Sequence, residues 1–160
     1  MIIIDFLEIE HAISYPVLTD IKMAKLLMRD LSFTLKQKYV TDKFAFICMG
    51  NSGIVLSTLL SHHCTNSRIM YVKKDCELNS GHHRGRIINS FYDPEYTYII
   101  IDDIVETGNT LFELRSHIRD FDKRIKISSI CVCGPSINRK LLKQIEDMIN
   151  PEFIFKTKYI

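Results

Sequence analysis

The sequence predicts an α/β fold: a doubly wound, mostly parallel five-stranded sheet with helices on both faces. Three observations carry this. Short apolar strands alternate with helical stripes along the chain. The strands are continuously apolar rather than alternating, as strands covered on both faces are. And 160 residues, 46% apolar and 25% charged, with no repeat or linker, suit one domain spanning 1–160.

The elements follow in order. Leu18, Ile21, Ala24, Met28, Leu31 and Leu35 recur at steps of three and four, the stripe of an amphipathic helix, with Thr19 or Asp20 as its cap. "KFAFICMG" (43–50) is a buried strand ending in glycine, and "GIVLSTLLSH" (53–62) a helix. "RIMYVKK" (68–74) is a second strand. Residues 74–90 lose periodicity and form a long polar loop. "YTYIII" (96–101) is the most apolar strand, followed by the helix "NTLFELRSHIRDF" (109–121). The strand "KISSICVC" (126–133), the helix "SINRKLLKQIEDMI" (136–149) and a last strand "EFIFK" (152–156) complete the pattern.

Several function classes are excluded or disfavoured. Lys and Arg exceed Asp and Glu by 21 to 19, too little to suggest a nucleic-acid partner. No apolar run approaches the roughly 20 residues of a membrane helix. The N-terminal stretch lacks a basic n-region, and five cysteines without framework spacing read as reduced thiols, so a cytoplasmic location is expected. His62-His63 and Cys131-x-Cys133 lack a second pair at ligand spacing and read as structural.

The informative stretch is "YIIIDDIVETGNTL" (98–111). Thr107, Gly108, Asn109 and Thr110 lie between a strand and a helix N-terminus, where free N–H groups and the positive end of the helix dipole favour a phosphate. Asp102 and Asp103 would repel that phosphate unless they hold hydroxyls or a divalent cation. A ligand with a phosphate, a diol and Mg²⁺, such as a ribose 5-phosphate, satisfies the whole stretch. The plainer alternative is a pair of acids that merely caps a helix.

This stretch resembles the phosphoribosyl diphosphate (PRPP) motif of the type I phosphoribosyltransferases, and the order of the other loops extends the resemblance over roughly residues 40–135. The resemblance implies an Mg²⁺-dependent transferase that moves ribose 5-phosphate from PRPP to a nucleobase, orotate or a purine, releasing pyrophosphate. In it Asp102 and Asp103 hold the ribose hydroxyls, directly or through Mg²⁺, while Glu106, Thr107, Gly108, Asn109 and Thr110 form the 5-phosphate loop. Glu106 stands where several purine-using members carry an acid that meets the base. Gly50, Asn51, Ser52 and Gly53 match the pyrophosphate loop, which often carries an Arg or Lys; here it has none. Residues 73–85 match the mobile catalytic loop, with Lys73 or Lys74 reaching the diphosphate and His82, His83 and Arg84 closing over it.

The resemblance also implies a homodimer and a small base-reading hood, from residues 1–17 (Phe6, His11, Tyr15) and/or 151–160 (Phe153, Phe155, Tyr159). The loop's "HHRG" ending leans towards orotate or adenine. The missing cation in 50–53 leaves a second reading open: a PRPP-binding regulator of the same fold with little catalysis.

Overall fold

A computed structural model describes residues 3–7, 21–78, 85–103, 107–132 and 139–157. Along the chain come β1 (Ile3–Leu7), α1 (Ile21–Lys38), β2 (Lys43–Met49), α2 (Gly50–His63), β3 (Asn66–Val72) and β4 (Ile87–Ile88). Then follow β5 (Thr97–Asp102), α3 (Asn109–Phe121), β6 (Ile127–Val132), α4 (Arg139–Met148) and β7 (Phe153–Thr157). One sheet holds all of these strands, in the order β1-β7-β6-β5-β2-β3-β4. Every neighbouring pair is parallel except β3 with β4.

The doubly wound α/β architecture expected from the sequence is present, and successive strand residues serve opposite faces. Phe44, Phe46, Ile99 and Ile101 pack with Leu27, Met28, Leu31 and Leu35 of α1 and with Leu56 and Leu60 of α2. Ala45, Ile47, Tyr98 and Ile100 pack with Leu111, Leu114 and Ile118 of α3 and with Leu141 and Ile145 of α4. The central strands β2 and β5 are buried almost throughout because both their faces are covered.

The strand count is corrected from five to seven. β1 lies in the N-terminal segment expected to form a hood, and it pairs in parallel with β7, Ile3 opposite Phe153 and Leu7 opposite Thr157. Residues 3–7 are thus an edge strand of the sheet, and 153–157 the strand between it and β6. The rest of both segments, apart from Pro151 and Glu152, lies outside the described residues, as do the caps expected at 19–20. β4 interrupts the long polar loop: two residues are too few for any periodicity, and pairing with Tyr71 and Val72 makes them a strand. No helix among the described residues is long and apolar enough to cross a membrane.

Candidate functional site

The winding reverses at β2 and β5. β2 leads to β3 on one side, while β5, β6 and β7 continue on the other. Parallel pairing of Ile47 with Ile100 brings the carboxyl ends of these two central strands level. A crevice outside such a switch point is the usual ligand position in open α/β sheets.

β2 runs into α2 without a loop. The sequence reading starts the helix at Gly53 and leaves 50–53 as a turn; the structure starts it at Gly50, so Gly50–Gly53 are its first turn. Gly50 has φ +72°, a left-handed conformation that only glycine adopts cheaply, and it lets the strand turn straight into the helix. Met49, at the N-cap, makes no side-chain capping bond, so its side chain satisfies none of the first-turn N–H donors. Gly53 seats the turn on the strand ends: an added Cβ would stand 3.0 Å from Cys48 Cβ and 3.3 Å from the Ile101 carbonyl oxygen.

The two lysines after β3 part company. Lys73 is buried, its N–H donating to the Arg86 carbonyl at 2.9 Å. Lys74 is exposed, and its side chain lies over the α2 turn. A Cβ added at Gly50 would be 3.1 Å from Lys74 Cε and 3.2 Å from Nζ. The turn that carries no cation in its own sequence therefore has one laid against it from the next strand. Beside it, the Tyr71 hydroxyl donates to both Glu77 oxygens, at 2.9 and 2.8 Å, and Glu77 also accepts from the Lys74 N–H at 2.9 Å. Burial, then that carboxylate, pushes the Tyr71 hydroxyl up to about 12.

Asp102 ends β5 and is buried; Asp103 is half-buried. Asp102 Oδ1 accepts from the Asp103 N–H at 3.0 Å, while Oδ2 is buried with no hydrogen-bond partner among the described residues. Burial first, then the neighbouring Asp103 charge, pushes the Asp102 carboxyl up to about 7, and Lys74 opposes the shift. An orphaned carboxylate oxygen beside a second carboxylate fits a hydroxyl donor or a hard cation. Mg²⁺ keeps several waters and takes one or two protein carboxylates, which this pair can offer.

Gly108 caps α3 with φ +80° and no side-chain capping bond of its own. The Asn109 N–H points to Thr107 Oγ1 at 3.4 Å, a weak contact. Thr107 and Asn109 are exposed and Thr110 half-buried, so the first turn of α3 meets solvent at the same end of the sheet as α2. Two helix N-termini and one lysine can hold anionic groups there, and the two carboxylates can hold hydroxyls between them.

The structure thus brings Asp102, Asp103, Thr107–Thr110, Gly50–Gly53 and Lys74 to the carboxyl end of the central strands. Glu106, His82, His83 and Arg84 lie outside the described residues. One residue was missed in the sequence: Arg86, whose Nη1 donates to the Lys73 carbonyl (3.3 Å) and to His117 Nε2 (3.3 Å), and whose Nη2 meets Asp75 at 2.7 Å. It ties together the base of the 73–85 loop. The run "HRGR" gave its only signal, and there Arg84 drew the attention.

No protein-family model matches the chain, and no curated protein matches it by sequence. Solved structures do. An adenine phosphoribosyltransferase from Saccharomyces cerevisiae superposes with a TM-score of 0.64 at 13% identity, over 87% of this chain and 81% of that one. An orotate phosphoribosyltransferase from Francisella tularensis gives 0.59 at 14%, over 90% and 68%. A xanthine-guanine-hypoxanthine phosphoribosyltransferase from Helicobacter pylori gives 0.54 at 15%, over 87% and 83%. Identities this low speak for architecture alone: the chain has the type I phosphoribosyltransferase fold.

Proposed function

We propose that the protein is a phosphoribosyltransferase, joining C1 of PRPP to a ring nitrogen of a nucleobase and releasing pyrophosphate. The observation that carries the reading is the arrangement at the switch point, where the uncapped first turns of α2 and α3 flank Asp102 with its orphaned Oδ2. The fold neighbours support it: one, from Trypanosoma brucei, is an adenine enzyme in complex with AMP, pyrophosphate and ribose 5-phosphate.

In this reading the α3 turn, Thr107–Thr110, binds the 5-phosphate through N–H groups and hydroxyls. Asp102 and Asp103 accept from the ribose 2- and 3-hydroxyls and so fix the sugar. The α2 turn and Lys74 hold the diphosphate. As the C1–O bond breaks, positive charge grows on the ribose and negative charge on the departing diphosphate. Lys74 and the α2 N-terminus neutralise the second in place, without covalent chemistry by the protein. Bound at Asp102 and Asp103, Mg²⁺ would supply further charge neutralisation for the same leaving group. Glu106 would share a proton with the base.

The regulator reading rested on the absence of a cation from 50–53. Lys74 Nζ beside Gly50 supports the transferase reading over it. The test is pyrophosphate release from PRPP and Mg²⁺ with orotate, adenine, hypoxanthine or guanine, and with Asp102→Asn/Asp103→Asn as control. Release with one base, abolished in the variant, is expected. PRPP binding without release for any base would return the regulator, and no PRPP binding would sink both readings.

A further inference from the structure

The opposite end of the sheet carries a polar cavity. The end of α3, the connection to β6 and the end of α4 enclose about 340 Å³, in the size range of small-ligand sites. Its floor is apolar, with Ile118, Ile125, Ile127 and Ile149 all buried. Its walls carry Arg115, Arg119, Lys123 and Lys126, and among the described residues no carboxylate lines it. None of these four cations has an ion pair among the described residues. It lies one strand length from Asp102, roughly 17 Å along β6 at about 3.3 Å per residue.

The bland account is that these cations offset the negative C-terminal ends of α3 and α4. Those ends amount to about −0.5 charge each, against four positive charges. Arg119 and one neighbour would suffice, and two cations remain over. An adjoining groove of about 600 Å³ shares Arg115, Arg119 and Lys123. It differs in character, adding Phe112 and Met148 as apolar walls and Asp120, Asp147 and Ser116 as acceptors. Cations without acids in the inner cavity and acceptors beside apolar walls in the outer groove describe a ligand with two unlike ends.

We propose that this paired cavity binds a nucleoside monophosphate. Its phosphate lies among Arg115, Arg119, Lys123 and Lys126, and its base lies against Met148, with sugar or amino donors meeting Asp120 and Asp147. The concave shape and the small net charge of the chain, +2, favour a small ligand over an extended nucleic acid. The proposal does not depend on the activity at Asp102.

The test is calorimetric titration of the full chain with AMP, UMP and inorganic phosphate at low salt. Arg119→Glu/Lys123→Glu reverses two exposed charges, the milder Arg119→Gln/Lys123→Gln removes them, and thermal melts confirm that both fold. One nucleotide-binding event should weaken at least tenfold in the Glu pair and less in the Gln pair, and should survive in Asp102→Asn/Asp103→Asn. Inorganic phosphate should bind at least tenfold more weakly than the nucleotide. The proposal is overturned by binding that is indifferent to charge reversal, by loss of every event in the Asp102/Asp103 variant, or by no heat at all. Phosphate binding as tight as AMP, or tighter binding of a single-stranded RNA oligonucleotide, overturns the nucleotide assignment. Because the charge-reversed event is counted separately, failure at the Asp102 crevice leaves this test intact.

Discussion

Gly50 and Lys74 act on one point in space, and that makes a double-mutant cycle decisive. An alanine methyl at position 50 would stand 3.1 Å from Lys74 Cε and 3.2 Å from Nζ, so Gly50→Ala pushes the ammonium a few tenths of an ångström aside while leaving it intact. Lys74→Ala removes the ammonium outright. A hydrogen bond to a charged group contributes about 1.5–3 kcal/mol, or roughly 10- to 150-fold in dissociation constant. Lys74 is exposed and its charge partly screened, so the lower end applies: roughly tenfold weaker pyrophosphate and PRPP binding for Lys74→Ala. Gly50→Ala should weaken binding less than Lys74→Ala, and should also lose about 1–2 kcal/mol of stability through its left-handed φ of +72°. The affinity losses should not add, because the methyl at position 50 acts on affinity through an ammonium that Lys74→Ala already lacks. Isothermal titration of the four proteins with pyrophosphate and Mg²⁺ measures this, and raising the salt should shrink the difference between wild type and Lys74→Ala. Additive losses, or a Lys74→Ala affinity within twofold of wild type, would refute the placement of Lys74 as the missing cation of the α2 turn.

Two further outcomes concern stability. Gly108→Ala combines a φ of +80° with a methyl 2.5 Å from Leu141 Cδ1 and 2.8 Å from Phe112 Cε2. Those are side-chain ends that can move, so a loss of about 2–4 kcal/mol in urea unfolding is expected, and under 1 kcal/mol would mean that the turn relaxes freely. Burial pushes the Tyr39 hydroxyl up to about 12, against its hydrogen bond with Ser129. A folded value above the unfolded one, about 10, means that the stability is full below pH ~10 and lost as pH rises from there to 12. Two pH units would be about 2.7 kcal/mol, which partial exposure reduces to about 1 kcal/mol. Unfolding at pH 8 and pH 11 should therefore show a smaller alkaline loss in Tyr39→Phe than in wild type, and equal losses would contradict the buried hydroxyl.

The sequence by itself determined the architecture and half of the crevice. Ala24, Met28, Leu31 and Leu35 on α1, and Leu111, Leu114 and Ile118 on α3, announce their helices by spacing, because a helix repeats within one turn of its own chain. Asp102, Asp103 and Thr107–Thr110 are legible for the same reason, being neighbours in sequence at a strand-to-helix junction. The edge strand β1 was not legible. Ile3 finds its partner at Phe153, near the other end of the chain, and nothing in five residues with an aspartate among them announces that pairing. For the α2 turn, the resemblance narrowed the cation to Lys73 or Lys74 without deciding between them. The turn's own residues lack one, and only the parallel register of β2 with β3, Met49 opposite Val72, carries Lys74 across to Gly50. Register is a property of two strands together, so it does not exist until the sheet does. Local spacing told which groups the site contains, and the sheet decided which of them meet.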